Sequence, residues 1–142
     1  MPKFCSIVWL ALPLSLLSLQ AMAACGTSTD PEHVVQAEVD AFNAHDIEAF
    51  AACFADNVAI VDLAGKRPVR NGLPALRDAY AFLRTSPKDF HVEIVKRIVS
   101  GPIVVDHERA LGLPAEKGKP EAVAVYEVRN GKILNMWFPP PK

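Results

Sequence analysis

The chain has 142 residues, enough for one domain, and its formal net charge at pH 7 is −1. Hydrophobic residues make up 51% of the sequence and charged residues 22%, a balance that excludes an intrinsically disordered chain. The near-neutral charge, without a basic stripe, gives no support for a nucleic-acid-binding surface.

Residues 1–24 have the three parts of a secretory signal peptide. Lys3 is the only charged residue before Asp30, an apolar stretch occupies residues 4–19, and small residues follow at 21–25. Serine and proline interrupt the apolar stretch, which falls short of the roughly 20 residues of a transmembrane span. The sequence therefore predicts export to the periplasm or cell envelope.

Two interpretations of the cleavage site stay open. Residues 21–23 fit ordinary cleavage after Ala23, whereas residues 22–25 resemble a bacterial lipobox, in which Cys25 is lipidated and becomes the first residue. In the second case residues 25–30 form a flexible tether, and the lipid is the only expected contact with a membrane. In the first case a disulfide between Cys25 and Cys53 becomes available in an oxidising compartment.

Helical patterns dominate the first half of the domain, which we place at residues 31–139. Asp30 before proline predicts a helix N-cap, and Val35, Val39 and Phe42 recur at the spacing of an amphipathic helix. Asp46 is a second N-cap, for a shorter helix. A strand at residues 54–62 and a third helix opened by Asn71-Gly72 follow.

From residue 90 the hydrophobic period changes to two, which predicts strands at 90–99, 103–113, 122–128 and 133–138. The run Arg129-Asn130-Gly131-Lys132 is a strong signal for a two-residue hairpin between the last two strands. Helices followed by a strand meander indicate an α+β fold, with an antiparallel sheet packed on helices.

This order of elements, with residues 42–50, 54–58, 71–76 and 125–133, resembles the nuclear transport factor 2-like (NTF2-like) superfamily. That group includes ketosteroid isomerases and SnoaL-type polyketide cyclases. The resemblance implies a cone-shaped α+β barrel, three N-terminal helices packed on a curved, mostly antiparallel sheet around an apolar pocket. It also implies homodimers formed through the sheet. The sequence indicates no cofactor.

Asp62 is the principal candidate for a catalytic residue. It ends an apolar strand and shares its parity with Val58 and Ile60, and a carboxylate on an apolar face is costly unless it is paired or chemically used. Ketosteroid isomerases carry their general base at this position in an Asp-x-x-Gly setting, which residues 62–65 match. The resemblance therefore implies that Asp62 is a general base.

Other functional residues of the related families do not carry over. The isomerases' helix-1 tyrosine falls near Glu38 and their second acid falls within residues 122–124, so both oxyanion donors are missing. Limonene epoxide hydrolases place an arginine between two acids. Arg109 fits that arginine, but Leu111 replaces the first acid and residues 136–138 contain no second one.

His107 is the expected partner of the general base. It shares parity with Ile103 and Val105, so it should face the pocket, whereas Asp106 and Glu108 should face away. A pocket histidine beside a carboxylate can move a proton near neutral pH. The alternative is a histidine held by a backbone carbonyl or by the same carboxylate for structure alone.

The remaining wall of the ligand-binding pocket is assigned to Ile60, Val105, Tyr126 and Trp137. Tyr126 alternates with two alanines, which leave room for its hydroxyl to reach a ligand; the alternative is a hydroxyl on the dimer face of the sheet. No metal site is expected, because metal sites need three or four ligands and His91 and Glu93 have no third partner.

Two hypotheses of function follow. The first is an exported isomerase, lyase or cyclase that uses Asp62 as general base on an apolar small molecule. The second is a non-catalytic envelope lipoprotein that binds an apolar small molecule or a protein partner.

Overall fold

The structure is a computed structural model that describes residues 25–140, so the predicted signal peptide lies outside the described residues. The helices are α1 (Pro31–Asn43), α2 (Ile47–Ala51) and α3 (Gly72–Tyr80). The strands are β1 (Phe54–Asp62), β2 (Arg70–Asn71), β3 (His91–Ser100), β4 (Ile103–Leu111), β5 (Glu121–Arg129) and β6 (Lys132–Phe138). None of the helices in this part of the chain has the length and hydropathy needed to cross a membrane.

Both predicted N-caps are confirmed. The Asp30 carboxylate accepts hydrogen bonds from the backbone N–H groups of Glu32 and His33 at 2.9 and 3.2 Å, which satisfies donors that the first helical turn leaves unpaired. The Asp46 carboxylate does the same for Ala49 at 2.9 Å. These caps fix where α1 and α2 begin and therefore which helical face meets the sheet.

The strands form one open sheet in the order β2-β1-β6-β5-β4-β3. Neighbouring strands are antiparallel except for β1 and β6, which pair in parallel. The predicted fold class is confirmed: three helices pack against a curved, mostly antiparallel sheet that does not close. We call the face against the helices the inner face and the opposite one the outer face.

The inner face carries the main core. Val58, Val104, Tyr126 and Met136 come from four different strands, and each is at most 3% exposed. They pack in one cluster with Val34, Val35, Phe50 and Leu76 of the helices. Burial of this apolar surface is the main stabilising contribution to the fold.

Two local irregularities shape the sheet. The register of β3 against β4 shifts between Ile94 and Lys96, so that β3 carries a bulge near the middle of its ten residues. The predicted hairpin between β5 and β6 is confirmed, with positive φ of 51° at Asn130 and 72° at Gly131, as a type I′ turn requires.

Cys25, the first described residue, is fixed to the domain. Cys25 is only 6% exposed and forms a disulfide with Cys53, the residue before β1. Because a lipid thioether and a disulfide use the same sulfur atom, the two expected states of Cys25 exclude one another.

Candidate functional site

Two adjoining cavities lie between the helices and the inner face of the sheet. The entrance cavity has a volume of about 280 Å³ and opens to solvent. Its walls are Phe42, Ile60, Asp62, Arg67, Pro68, Arg70, Ala79, Tyr80, Phe82 and Phe138. The deep cavity has a volume of about 30 Å³ and is lined by Glu38, Val39, Phe42, Tyr80, Val92, Glu108, Tyr126 and Phe138. The aromatic residues Phe42, Tyr80 and Phe138 line both cavities, so together they separate a solvent-facing end from a polar interior end.

The deep cavity contains two glutamates and a tyrosine from three elements. Glu38 comes from α1 and is 3% exposed, while Glu108 lies on β4 and Tyr126 on β5. The Tyr126 hydroxyl donates a hydrogen bond to Glu108 Oε1 at 3.0 Å.

An ion pair with a fully buried carboxylate lies beside this site. Arg97 donates from Nε and Nη2 to the two carboxylate oxygens of Asp106 at 2.7 and 2.6 Å, and Asp106 is 0% exposed. The guanidinium also donates from Nη1 to Gln36 Oε1 on α1 at 2.8 Å. The pair is bidentate, so Arg97 neutralises Asp106 directly, and its charge only partly offsets the effect of burial on the two glutamates nearby.

Burial raises the pKa of Glu108 to about 7, and the charge of Asp106 acts in the same direction, whereas the hydrogen bond from Tyr126 and the charge of Arg97 oppose it. The pKa of Glu38 is raised well above its usual value, first by burial and then by the charges of Glu108 and Asp106. Low dielectric disfavours the charged form of a carboxyl. Burial therefore favours the neutral form of both carboxyls, and a neutral carboxylic acid can donate a hydrogen bond.

Asp62 lines the entrance cavity, and its side chain is 10% exposed. It accepts hydrogen bonds from Arg67 Nε at 3.1 Å and from the backbone N–H of Ala64 at 3.0 Å. Burial acts to raise its pKa, but these hydrogen bonds and the charges of Arg67 and Lys66 outweigh that effect and the pKa is lowered. A carboxylate with a lowered pKa is a weak proton acceptor, so the pairing opposes the expected role of Asp62 as general base.

The expected orientation of β4 was wrong. Val104 and Asp106 are fully buried on the inner face and Glu108 lines the deep cavity, so Val105 and His107 lie on the outer face. His107 is 39% exposed there and its Nε2 lies 2.7 Å from Glu121 Oε2 on β5. His107 therefore does not share a pocket with Asp62, and Val105 does not line the entrance cavity.

The other expected wall residues are divided between the two faces. Ile60 lines the entrance cavity together with Asp62, whose strand parity it shares, and of the two positions left open for Tyr126 the structure has the one on the deep cavity. Trp137 instead pairs with Val125 of β5 and Val61 of β1, whose side chains lie on the outer face. Phe138, the residue after it, occupies the wall position that was assigned to Trp137.

Glu38 and Glu108 are functional candidates that the sequence interpretation did not identify. For Glu38 a signal existed: it lies three residues after Val35 and four before Phe42, on the apolar stripe of α1. Glu108 gave no such signal, because both alternating sets of β4 contain β-branched residues. Within residues 25–140, no three His, Cys, Asp or Glu side chains are grouped as metal ligands would be.

The architecture is that of the NTF2-like cone: three helices on a curved, open, mostly antiparallel sheet. The sequence profile of the SnoaL-like domain family matches residues 35–136, and the chain belongs to that family. The predicted superfamily is thereby confirmed. No curated protein sequence matches the chain.

Solved structures share the fold at low sequence identity. A cystatin-fold protein from Novosphingobium aromaticivorans has a TM-score of 0.66 and 23% identity, over 77% of this chain and 97% of that one. A protein provisionally named a polyketide cyclase, from Sinorhizobium meliloti, has a TM-score of 0.62 and 15% identity, over 74% and 92%. A protein provisionally named a ketosteroid isomerase, from Kribbella flavida, has a TM-score of 0.63 and 20% identity, over 79% of this chain and 78% of that one.

Proposed function

We propose that the chain is an exported enzyme domain that moves a proton on a small apolar carbonyl compound, in isomerase, lyase or cyclase chemistry. The observation that carries the proposal is the position of the Glu108 carboxyl. It lies at the deep end of an aromatic-walled cavity and accepts a hydrogen bond from Tyr126 at 3.0 Å. The provisional names of the Sinorhizobium and Kribbella relatives belong to the same range of chemistry.

The deep cavity has the groups that such a reaction needs. A carboxyl with a pKa of about 7 exchanges protons efficiently near neutral pH, so Glu108 suits general acid–base catalysis. Burial also raises the pKa of Glu38, which favours its neutral form, and a neutral acid can donate to an oxygen on which negative charge develops. Glu38 thus stands in place of an oxyanion donor that the resemblance to ketosteroid isomerases left missing.

Asp62 is the competing candidate for the base. It faces the entrance cavity as expected, but its pairing with Arg67 and its lowered pKa favour Glu108 for this role. The two candidates lie in different cavities, so single substitutions separate them.

The test is the exchange of α-protons. A panel of small apolar ketones, with and without a carboxylate, in D₂O is followed by ¹H NMR with the wild-type protein, Glu108→Gln, Asp62→Asn and, as a matched control on the outer face, Glu121→Gln. We expect the wild type and both other variants to catalyse exchange of at least one ketone, and Glu108→Gln to lose at least about 100-fold in rate. Loss in Asp62→Asn with Glu108→Gln unchanged would transfer the role to Asp62. No exchange by the wild type would refute the proposed chemistry.

We also propose that two copies pair through the outer face. An apolar row crosses the strands there, because Ile98, Val105, Val125, Trp137 and Val61 are register partners from β3 to β1. Ile98 is 54% exposed. A second copy would bury this row. Light scattering after gel filtration should give a dimer for the wild type and a monomer for Val125→Lys. A monomeric wild type at micromolar concentration would refute the pairing.

For the exported form we propose the disulfide rather than the lipid at Cys25. Cys25 is buried beside Cys53 and its sulfur is already bonded. Mass analysis of the protein from the cell envelope tests this. The expected chain starts at Ala24 and gains two thiol-reactive sites after reduction, whereas a diacylglyceryl adduct would establish the lipoprotein.

A further inference from the structure

The rim of the entrance cavity has more positive than negative charge. Arg67 and Arg70 both line it, and Asp62 is the only acidic residue among its lining residues. Asp62 engages Arg67 through Nε, and the Arg67 side chain remains 66% exposed. Arg70 is exposed and forms none of the ion pairs found within residues 25–140. The rim can therefore accept an anionic group.

The wall behind the rim is apolar and aromatic. The Phe42 and Tyr80 ring centroids are 6.2 Å apart, those of Tyr80 and Phe82 are 6.0 Å apart, and Phe138 lies under the Arg67 guanidinium at 5.9 Å. The volume of about 280 Å³ is at the small end of the range for ligand pockets. From the surface inward, the pocket therefore has the arginines of the rim, then the aromatic wall, then the buried acids of the deep cavity.

We propose that this pocket selects small amphipathic ligands with one carboxylate, which Arg67 and Arg70 bind at the rim while the apolar part lies among the aromatic rings. Guanidinium groups match the planar geometry of a carboxylate and bind it in charge-assisted hydrogen bonds. The proposal deepens the proposed function by naming the substrate class: an apolar keto acid, with the carboxylate outward and the carbonyl toward the deep cavity. Binding of the carboxylate does not require proton transfer by Glu108.

The same geometry gives Asp62 a different role from catalysis. Its carboxylate occupies one donor of Arg67, so it competes with the ligand carboxylate for that guanidinium. Removal of the charge in Asp62→Asn should therefore strengthen the binding of an acid and leave the binding of a neutral analogue unchanged.

The experiment is isothermal titration calorimetry with three probes that share one ring system: 2-naphthoate, its methyl ester and 2-naphthylmethylammonium. We expect the wild type to bind the acid about tenfold more tightly than the ester and the ammonium probe most weakly. Arg70→Gln should reduce the preference for the acid about fivefold, and Asp62→Asn should increase it. Arg84→Gln removes the same charge from an exposed position outside the cavity lining and should leave the preference unchanged.

Raising the salt concentration provides a second readout, because it weakens exposed charge pairs and not the burial of the rings. Any one of four results would overturn the proposal. These are equal affinities for acid and ester, a preference for the ammonium probe, equal losses of the acid preference in Arg70→Gln and Arg84→Gln, or no binding of any probe. Glu108→Gln should keep the preference for the acid. Failure of the exchange assay and failure of this binding assay are therefore distinguishable.

Discussion

The free energy of unfolding of the wild type should fall as pH rises because of Glu108, and replacement of Glu108 by glutamine should abolish that fall. Burial raises the pKa of Glu108 from 4.5 to about 7, so between these values the native state holds a proton that the unfolded chain has released. The unfolded state then binds fewer protons than the native state, and the free energy of unfolding falls with rising pH. Above about pH 7 the group is ionised in both states and its contribution is constant.

The size of the effect follows from the two pKa values. The difference between 4.5 and about 7 corresponds to about 3 kcal/mol, lost by the wild type between acidic and mildly alkaline pH. Glutamine does not titrate, and its amide oxygen can still accept the hydrogen bond from Tyr126. The free energy of unfolding of the variant should therefore differ from that of the wild type by an amount that changes with pH. A change in packing would add only a constant difference.

The assay is urea denaturation at several pH values from about 4.5 to 8.5, with m-values checked for constancy. Glu121→Gln is the matched control on the outer face. Arg109 and His107 hold the pKa of Glu121 below its usual value, so that residue stabilises the fold above its unfolded pKa and loses this effect on acidification. As pH rises, the free energy of unfolding of Glu108→Gln should increase relative to that of the wild type. That of Glu121→Gln should not. Parallel pH profiles for the wild type and Glu108→Gln would refute the reasoning.

Three further substitutions, the last of them with a control, test the scaffold around the site. Asp106→Asn leaves the buried guanidinium of Arg97 without its carboxylate and should lower the free energy of urea unfolding by about 3–5 kcal/mol. Cys53→Ala opens a disulfide between residues 28 apart and should cost about 3–4 kcal/mol, so thermal melts of the variant should not respond to a reductant, whereas the wild type should. Gly112→Ala places a Cβ 1.9 Å from a backbone carbonyl oxygen and should unfold the domain in thermal melts. Gly118→Ala, also at positive φ but in open space, should lose only about 1–3 kcal/mol.

Local signals predicted most of the fold. Side-chain caps at Asp30 and Asp46, and the hairpin turn at Asn130-Gly131, act over a few residues, so the sequence next to them is sufficient to place the ends of their elements. The change of hydrophobic period after α3 predicted the strand meander for the same reason. The parallel pairing of β1 with β6 joins residues far apart in sequence, and no local pattern indicates it.

The candidate site was predicted less well because it depends on which face of β4 meets the helices. Both alternating sets of β4 contain valine, and the outer face has its own apolar row across the sheet. Strand periodicity identifies two faces but does not say which one is inside when both are apolar. Because of that ambiguity, the prediction named His107 on the outer face, whereas the residue on the inner face is Glu108.

Glu38 shows a different difficulty. Its place on the apolar stripe of α1 was visible in the sequence, but a buried acid is explained only by partners from β4 and β5, which the helix pattern does not contain. The resemblance to ketosteroid isomerases pointed to this position for a tyrosine. A glutamate that is protonated by burial can donate the same hydrogen bond, which residue identity alone does not reveal.

The bulge in β3 also bears on how copies of the domain can meet. β3 is a ten-residue strand at the edge of the sheet, and an edge of that length offers unpaired backbone groups to any other strand. The register shift between Ile94 and Lys96 interrupts this row of groups, and Lys96 places a charge beside it. Continuous strand addition at this edge is therefore disfavoured, and the broad outer face is left as the surface on which a second copy can pack without extending the sheet into a fibre.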